Sequence, residues 1–395
     1  MLSDFGSMGQ WKMDRMISVA LFALVLFSGV SGYKMITCQL HCKNSLTSSF
    51  VLSQFQIMKD LSPHESCSLP SIVRSPRSDD EALVICNPLG SSVGIQKALD
   101  LKTWRPVGGA SPNHPVVWDE AIGTEKIVSM ADPRIFVFNS QYFLIFYKRH
   151  PQMQLARLKV LADGSVLGLS DSYIFIHHRF KHKSTSEKNW GPFEYRPNRS
   201  VSFDGAHAHA RPQLLFVYSM VPHVIIGFGN DGSDGPDMIR FSRPPGHLSM
   251  MPLHCTRTNV SFWQWGEQLR GGTPAVYIPR VGKYLSFFHS KNVHNEAIHT
   301  YFMGAYMYEG NPPFAITDLS EEPIFAPNFH IGRYAYKHVD YINYPMSFIL
   351  TENDVVLLSY GRQDTESWVL EIDLATLLSS LRPIVSHAIP CNETY

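Results

Sequence analysis

YFLIFY (residues 142–147), LLFVY (214–218), YLSFFH (284–289) and VVLLSY (355–360) decide the fold. Each is a short apolar run closing on a ring-bearing residue, and Tyr147, Tyr218, His289 and Tyr360 follow one another at intervals of 71 residues. A fifth run, ALVIC, closes on Cys86, 61 residues before Tyr147. A proline opens another strand-like run upstream of each: Pro70 in LPSIV, Pro133 in DPRIFVF, Pro192 in GPFEY, Pro274 in TPAVYI and Pro345 in YPMSFIL. From proline to closing residue the offsets are 16, 14, 26, 15 and 15, and the long one contains a His- and Asn-rich insertion at 197–211. Five units of some 60–70 residues, each opening with paired strands, predict a radial repeat of sheets. The expectation is an all-β, five-bladed β-propeller. A pair of sandwiches would require the equal spacing to be accidental. Helical periodicity is poor; the clearest short helix is IDLATLLSSL (372–381), and ALDLKTW (98–104) reads as a turn between strands.

Composition agrees. With 395 residues and 44% hydrophobic side chains, the chain can bury a large core. Lys and Arg number 34 and Asp and Glu 34, which argues against a nucleic-acid binder with its basic stripe and against a charged disordered tail. Gly and Pro, 26 each, suit many strands and turns.

The N-terminus carries Lys12, Asp14 and Arg15, then an uncharged stretch (16–33) with the apolar heart ISVALFALVLF followed by Ser28, Gly29, Ser31 and Gly32. That is the layout of a secretory signal peptide; uncut, it is long enough to act as a signal anchor. Residues 1–33 are assigned to this segment, 34–64 to a lumenal stem, 65–382 to the propeller and 383–395 to a C-terminal tail. The membrane is met only through the N-terminal segment, and the remainder is expected in the ER or Golgi lumen or secreted. Sequons at Asn198, Asn259 and Asn392 fit that route. Six cysteines (38, 42, 67, 86, 255, 391) permit up to three disulfides, with the stapling expected mainly in the N-terminal part. Cys38 and Cys42 lack a second zinc-ligand pair.

In a propeller the first strand of each blade lines the central channel. A proline at its start loses no ladder bond, so the residues just before the in-phase prolines should converge on one mouth. They are Asp132 with Arg134; Lys188, Asn189 and Trp190; Arg270, Gly271, Gly272 and Thr273; and Asp340, Asn343 and Tyr344. Alternation puts Asp132 and Arg134 on the same strand face. Cations and an aromatic surround one prominent carboxylate. Ordinary glycoside hydrolysis uses two carboxylates; a nucleophile that is already an anion needs cations to hold it instead of a base.

At these residues the sequence resembles a known family. ADPRIFVFNSQYFLIFY is similar to the E-D-P-R strand of the five-bladed propeller β-mannoside phosphorylases and related β-1,2-mannoside enzymes. EKNWGPF, GGTPAVYIPRVGKYLSFFHS, MGAYMYE, PFAITDLSEEPIF and LLSYGRQDTESW follow in the family's order, over residues 80–375. The resemblance implies that Asp132 is the proton donor. It places the motif arginine at Arg134, the K-N lysine at Lys188, the histidine of the H-S strand at His289 and the sugar-binding aspartate of Y-G-x-x-D at Asp364. Two departures stand out: Ala131 replaces the glutamate of E-D-P-R, and Tyr218-Ser-Met-Val-Pro222-His223 occupies the place of the family's H-R-P phosphate motif. The K-N-W-x-P-F form resembles eukaryotic relatives, some of them β-1,2-mannosyltransferases.

The expected function is therefore inverting mannosyl transfer or phosphorolysis on β-mannosides, without cofactor or metal. The partners would be a mannose-containing glycan with phosphate, mannose 1-phosphate or GDP-mannose. A glycan-binding propeller without catalysis and a β-mannoside hydrolase, with Glu267 or Glu296 as base, are the rivals. His207 and His209 lack a third metal ligand, HHRFKHK (177–183) reads as a solvated insertion, and GFGNDGSDGPD (227–237) lacks the spacing of a calcium loop.

Overall fold

The computed structural model describes residues 47–57, 67–88, 95–105, 107, 114–115, 117–118, 130–148, 152–161, 166–168, 173–176, 189–197, 212–228, 247–294, 298–330 and 341–393. The leader-like segment, Cys38, Cys42, Lys188, Asn198, His207, His209, Glu296, Asp340 and residues 177–183 and 229–237 lie outside them.

Strand β1 (Val51–Ile57) comes first but belongs to the last sheet. Blade I is β2 (Cys67–Arg74), β3 (Glu81–Pro88), β4 (Ile95–Asp100) and β5 (His114–Pro115). After β6 (Val117–Trp118), blade II is β7 (Ala131–Phe138), β8 (Gln141–Lys148) and β9 (Gln152–Val160), with β10 (Val166–Gly168) and β11 (Tyr173–Ile176) both against β9. Blade III is β12 (Gly191–Tyr195), β13 (Gln213–Met220), β14 (His223–Phe228) and β15 (His247–Thr258), and β11 pairs with β15 to join blades II and III into one sheet. In blade IV the inner strand is split at Pro274 into β16 (Gln268–Gly271) and β17 (Val276–Ile278), both on β18 (Lys283–His294), followed by β19 (Ile298–Glu309) and β20 (Ile316–Ser320). Blade V is β21 (Asn343–Leu350), β22 (Val355–Arg362), β23 (Glu366–Asp373) and, outermost, β1.

The marker prolines fall where expected, inside β2, β7, β12 and β21 and at the β16–β17 break. These strands are sheet edges facing the axis, so the missing N–H breaks no ladder. The inner strands also hold one another: the Ile135 N–H donates to Ser71 Oγ at 2.8 Å and the Ala275 N–H to the Pro192 carbonyl at 2.9 Å. The closing rings sit level with the strand starts, Tyr147 opposite Ala131, His289 opposite Arg270 and Tyr360 opposite Pro345.

Each sheet buries both faces, which is why its strands read as continuous apolar runs. In β3, Ala82, Val84 and Cys86 pack toward blade V while Leu83 and Ile85 pack toward blade II. Blades IV and V meet through Phe287, Met303, Leu358 and Leu370; blades II and III through Phe136, Phe143, Phe216 and Ile226. Blades III and IV join through rings: Phe193 lies 4.9 Å from Tyr284 and 5.4 Å from both Tyr308 and Phe314.

The propeller takes in more chain than the expected 65–382. β1 was assigned to the stem, yet its residues pair along β23 from Val51 with Ile372 to Ile57 with Ser367. The last blade is completed by a strand from the other end of the chain, which closes the ring. Beyond helix α1 (Leu374–Ser380), capped by Asp373, strand β24 (Leu381–Pro383) joins β20, and β25 (Ser386–Ala388) joins β15. The supposed tail is thus docked, and Cys391 is disulfide-bonded to Cys255 with Cα atoms 5.2 Å apart. The second bridge, Cys67–Cys86, ties β2 to β3. No helix among the described residues is long and apolar enough to cross a membrane.

Candidate active site

The strand starts of blades II to V come together around Arg134. This side chain is fully buried. Its Nε donates to the Gly272 carbonyl at 2.6 Å, Nη1 to the Asp132 carbonyl at 3.2 Å, and Nη2 to Tyr344 Oη at 2.7 Å and Asn189 Oδ1 at 3.3 Å. Tyr344 Oη in turn donates to Asn189 Oδ1. Acceptors from four blades therefore converge on one guanidinium. All are neutral, so its charge is held in place without being cancelled.

Four sequence expectations change here, those for Arg134, for its alternation with Asp132, for Thr273 and for Trp190. Arg134 is built into the floor of the mouth and is not a side chain facing the opening. Its presumed alternation with Asp132 fails because the strand bulges between Ala131 and Arg134, with Asp132 at φ 49°. A bulge with a left-handed residue re-aims a side chain, and Asp132 ends up half-buried while Arg134 is sealed. Thr273 is fully buried and receives the Phe287 N–H at 3.0 Å, with its hydroxyl 3.1 Å from Ser286 Oγ. It fastens β18 to the inner strand and has no face on the mouth. Trp190 is also core, packed edge-on against Phe216 and Tyr218.

Asn189 is buried at φ 71°, which turns its amide onto Arg134. Arg270 is the exposed cation, bonded to Gln268 Oε1 at 2.7 Å and in register with His289 on the next strand. His289 is buried, stacks on Tyr301 (5.4 Å, 9°) and tilts against Tyr344 at 4.5 Å. Burial, then the charges of Arg270 and Arg134, hold its pKa well below the usual imidazole range. It is a neutral ring at physiological pH, and its Nδ1 has no hydrogen-bond partner among the described residues.

Tyr301, on β19, is a wall residue that the sequence reading missed. Its hydroxyl pKa is raised by burial, then by Asp364, and further by Asp132, against the opposing pull of Arg270. Tyr344 is likewise pushed up, by burial above all, with Arg134 opposing. Both phenols stay protonated and can donate. Asp364 projects exposed from the β22–β23 turn. The mouth accordingly offers two carboxylates, the exposed Arg270, a neutral imidazole and the Tyr301 hydroxyl, over a floor in which Arg134 and the Tyr344 hydroxyl are already bonded. Glu267 is exposed on the approach to β16. No group of three His, Cys, Asp or Glu among the described residues is placed to hold a metal ion. Asn259 and Asn392 are exposed.

No protein-family model matches the chain, and no curated protein matches it. Among solved structures, a mannose phosphorylase from Leishmania mexicana in complex with phosphate is similar at 9% identity and TM-score 0.49, over 91% of this chain and 98% of that one. A putative glycoside hydrolase from Bacteroides ovatus aligns at 13% identity and TM-score 0.49, over 80% and 88%. A β-1,2-mannobiose phosphorylase from Listeria innocua aligns at 11% identity and TM-score 0.45, over 85% and 94%.

Proposed function

We propose that the chain is a carbohydrate-active enzyme that moves a mannosyl group with inversion, in a single displacement, with Asp132 as the proton-transfer group. The observation that carries this reading is the strained carboxylate itself. Asp132 sits half-open on a bulged, left-handed strand start, above a buried guanidinium fixed by four blades. Backbone strain of this kind persists where the surroundings over-determine it, and it concentrates at reactive sites.

In phosphorolysis Asp132 would give its proton to the leaving glycosidic oxygen while phosphate attacks the opposite face of the sugar. In synthesis from mannose 1-phosphate or GDP-mannose the same carboxylate would take the proton from the acceptor hydroxyl. Arg270, His289 and the undescribed Lys188 and Asp340 are the proposed donor-binding set. Arg134, Asn189 and Tyr344 position the floor, and Asp364 holds sugar hydroxyls. The two disulfides and the leader-like segment support action in the secretory lumen or outside the cell, with glycans at Asn259 and Asn392.

A second reading has its own observation. Asp132 at the start of β7 and Asp364 on the turn beside the start of β21 bring two carboxylates to the strand-start end of the blades, the complement of a hydrolase. Purified protein incubated with β-mannosides and phosphate, or with GDP-mannose and mannose acceptors, separates the readings. Mannose 1-phosphate or a lengthened acceptor supports transfer; free mannose independent of phosphate supports hydrolysis; binding without product supports a lectin-like propeller. Asp132→Asn should cost about 10²–10⁴-fold in rate with sugar affinity retained. Near-normal turnover in that variant would remove Asp132 from the mechanism.

A further inference from the structure

The β22–β23 turn that presents Asp364 is held by a buried apparatus that none of the roles above uses. The Thr365 N–H closes the turn on the Arg362 carbonyl at 3.1 Å, and both central residues are left-handed, Gln363 at φ 57° and Asp364 at φ 51°. Aspartate tolerates this region but glutamine rarely adopts it, so the conformation at Gln363 needs support from outside. The Arg362 guanidinium supplies most of it. Nε and Nη2 both donate to Glu366 Oε2, at 2.8 and 2.5 Å, and Nη1 donates to the Asn328 carbonyl at 3.1 Å. The same Oε2 receives Trp368 Nε1 at 2.9 Å, and the guanidinium lies over the Trp368 ring, 3.9 Å from its centre. Gln363 adds two bonds, its N–H to the Ile342 carbonyl at 2.8 Å and Nε2 to the His330 carbonyl at 2.9 Å. Arg362, Gln363 and Glu366 are buried, and Asp364 between them is exposed.

We infer that Arg362, Glu366 and Trp368 form a positioning clamp that fixes the Asp364 carboxylate at the mouth so that it can grip sugar hydroxyls. The inference rests on the mannoside reading. Three features separate a clamp from ordinary packing. One carboxylate oxygen gathers three donors, the guanidinium gives it two N–H groups while stacked on an indole, and the part left in water is Asp364, on the turn held beside the start of β21. Arg is required: lysine would keep the charge but lose the fork and the flat face over the indole. The last turn of blade V would otherwise be free to relax away from the left-handed region, carrying Asp364 with it.

The test is a double-substitution cycle read by calorimetric titration of the full chain with methyl β-mannoside, alongside amide hydrogen exchange. Asp364→Ala should weaken binding about 10–100-fold, and Arg362→Lys about tenfold. The pair together should bind no more weakly than Asp364→Ala alone, because a clamp has nothing left to position. Trp368→Phe, which keeps a ring under the guanidinium and removes one bond to Glu366, should give a smaller loss and folds even where Arg362→Lys does not. Additive losses in the double variant, or wild-type affinity in Arg362→Lys with the turn amides exchanging freely, would overturn the clamp. A wild-type chain that binds no mannoside overturns the sugar reading instead. Exchange at 363–365 then decides the clamp: selective loss of protection in Arg362→Lys upholds it as a device for the turn, and unchanged protection refutes it.

Discussion

Arg134 and Arg270 bring the same charge to one mouth, and burial separates what each can do. Replacing Arg134 by Met strands the Gly272 carbonyl in a dry floor, at about 1–3 kcal/mol for the orphaned group, and leaves Asn189 Oδ1 with only the Tyr344 hydroxyl. Melting should fall by about 2–5 °C, and activity with it. Arg270→Ala, on an exposed side chain, should stay within about 0.5 kcal/mol of wild type. It should still weaken phosphate or GDP-mannose binding about 10–100-fold through a lost charge-assisted hydrogen bond. Thermal melts and anion titrations on both variants check this; a stable Arg134→Met would show that the floor does not depend on its cation. The buried histidines carry a second prediction. Burial lowers His223 to a pKa of about 3, and His289 is also well below its ordinary value. Folded pKa values below the unfolded one mean that the unfolded chain takes up protons first as pH falls. This contribution is complete above about pH 6.5 and is lost on acidification, by about 1.4 kcal/mol per pH unit for each group. Urea midpoints should drop between pH 6.5 and 4, and His223→Phe, whose ring would sit against Tyr306 and Tyr308, should flatten that slope. An unchanged slope would mean that His223 is protonated in the folded chain.

The inner strand of blade IV shows how closely the elements meet at the floor. A Cβ on Gly272 would come within 2.6 Å of Pro345 Cγ and 3.0 Å of the Phe287 and Pro345 carbonyl oxygens. Gly272→Ala should therefore push β21 away from the β16–β17 break and withdraw the carbonyl that holds Arg134. The expected cost is about 1–3 kcal/mol of stability, with a larger proportional loss of turnover, measured by melts and product formation. Full activity at an unchanged melting temperature would show that the floor yields without consequence. The same strands explain what could be read beforehand. The five in-phase prolines were legible because an edge facing the axis tolerates a residue without N–H. The strands were legible because both faces are buried. Tyr301 was not legible: it sits on the third strand of its blade, away from any strand start, and reaches the mouth by stacking on His289. Nor was the sealed position of Arg134, because the left-handed Asp132 breaks the alternation from which its face was deduced.

At the scale of the whole molecule, five sheets packed face to face have no free end only if the first and last are joined. The joint is β1, whose partner strand β23 lies more than 300 residues away, as between Ser53 and Glu371. VLSQFQI gives no local sign of that pairing, since its partner is defined by ring closure and not by neighbouring sequence. β1 and its approach bury Phe50 and Ile57, worth about 1.5–3 kcal/mol each. The Phe50 carbonyl also accepts the Asp373 N–H at 2.8 Å, next to the α1 cap. Against a net stability of about 5–15 kcal/mol for a folded domain, removing this strand takes a large share and leaves β23 as an open edge that can recruit other chains. A chain starting at residue 47 keeps the closing strand and is the reference. One starting at residue 58 should melt at least about 10 °C lower or elute as aggregate, and a peptide spanning 47–57 should restore part of the loss. Equal melting and monomeric elution for the two truncations would show that the inter-blade cores hold the ring without its closing strand.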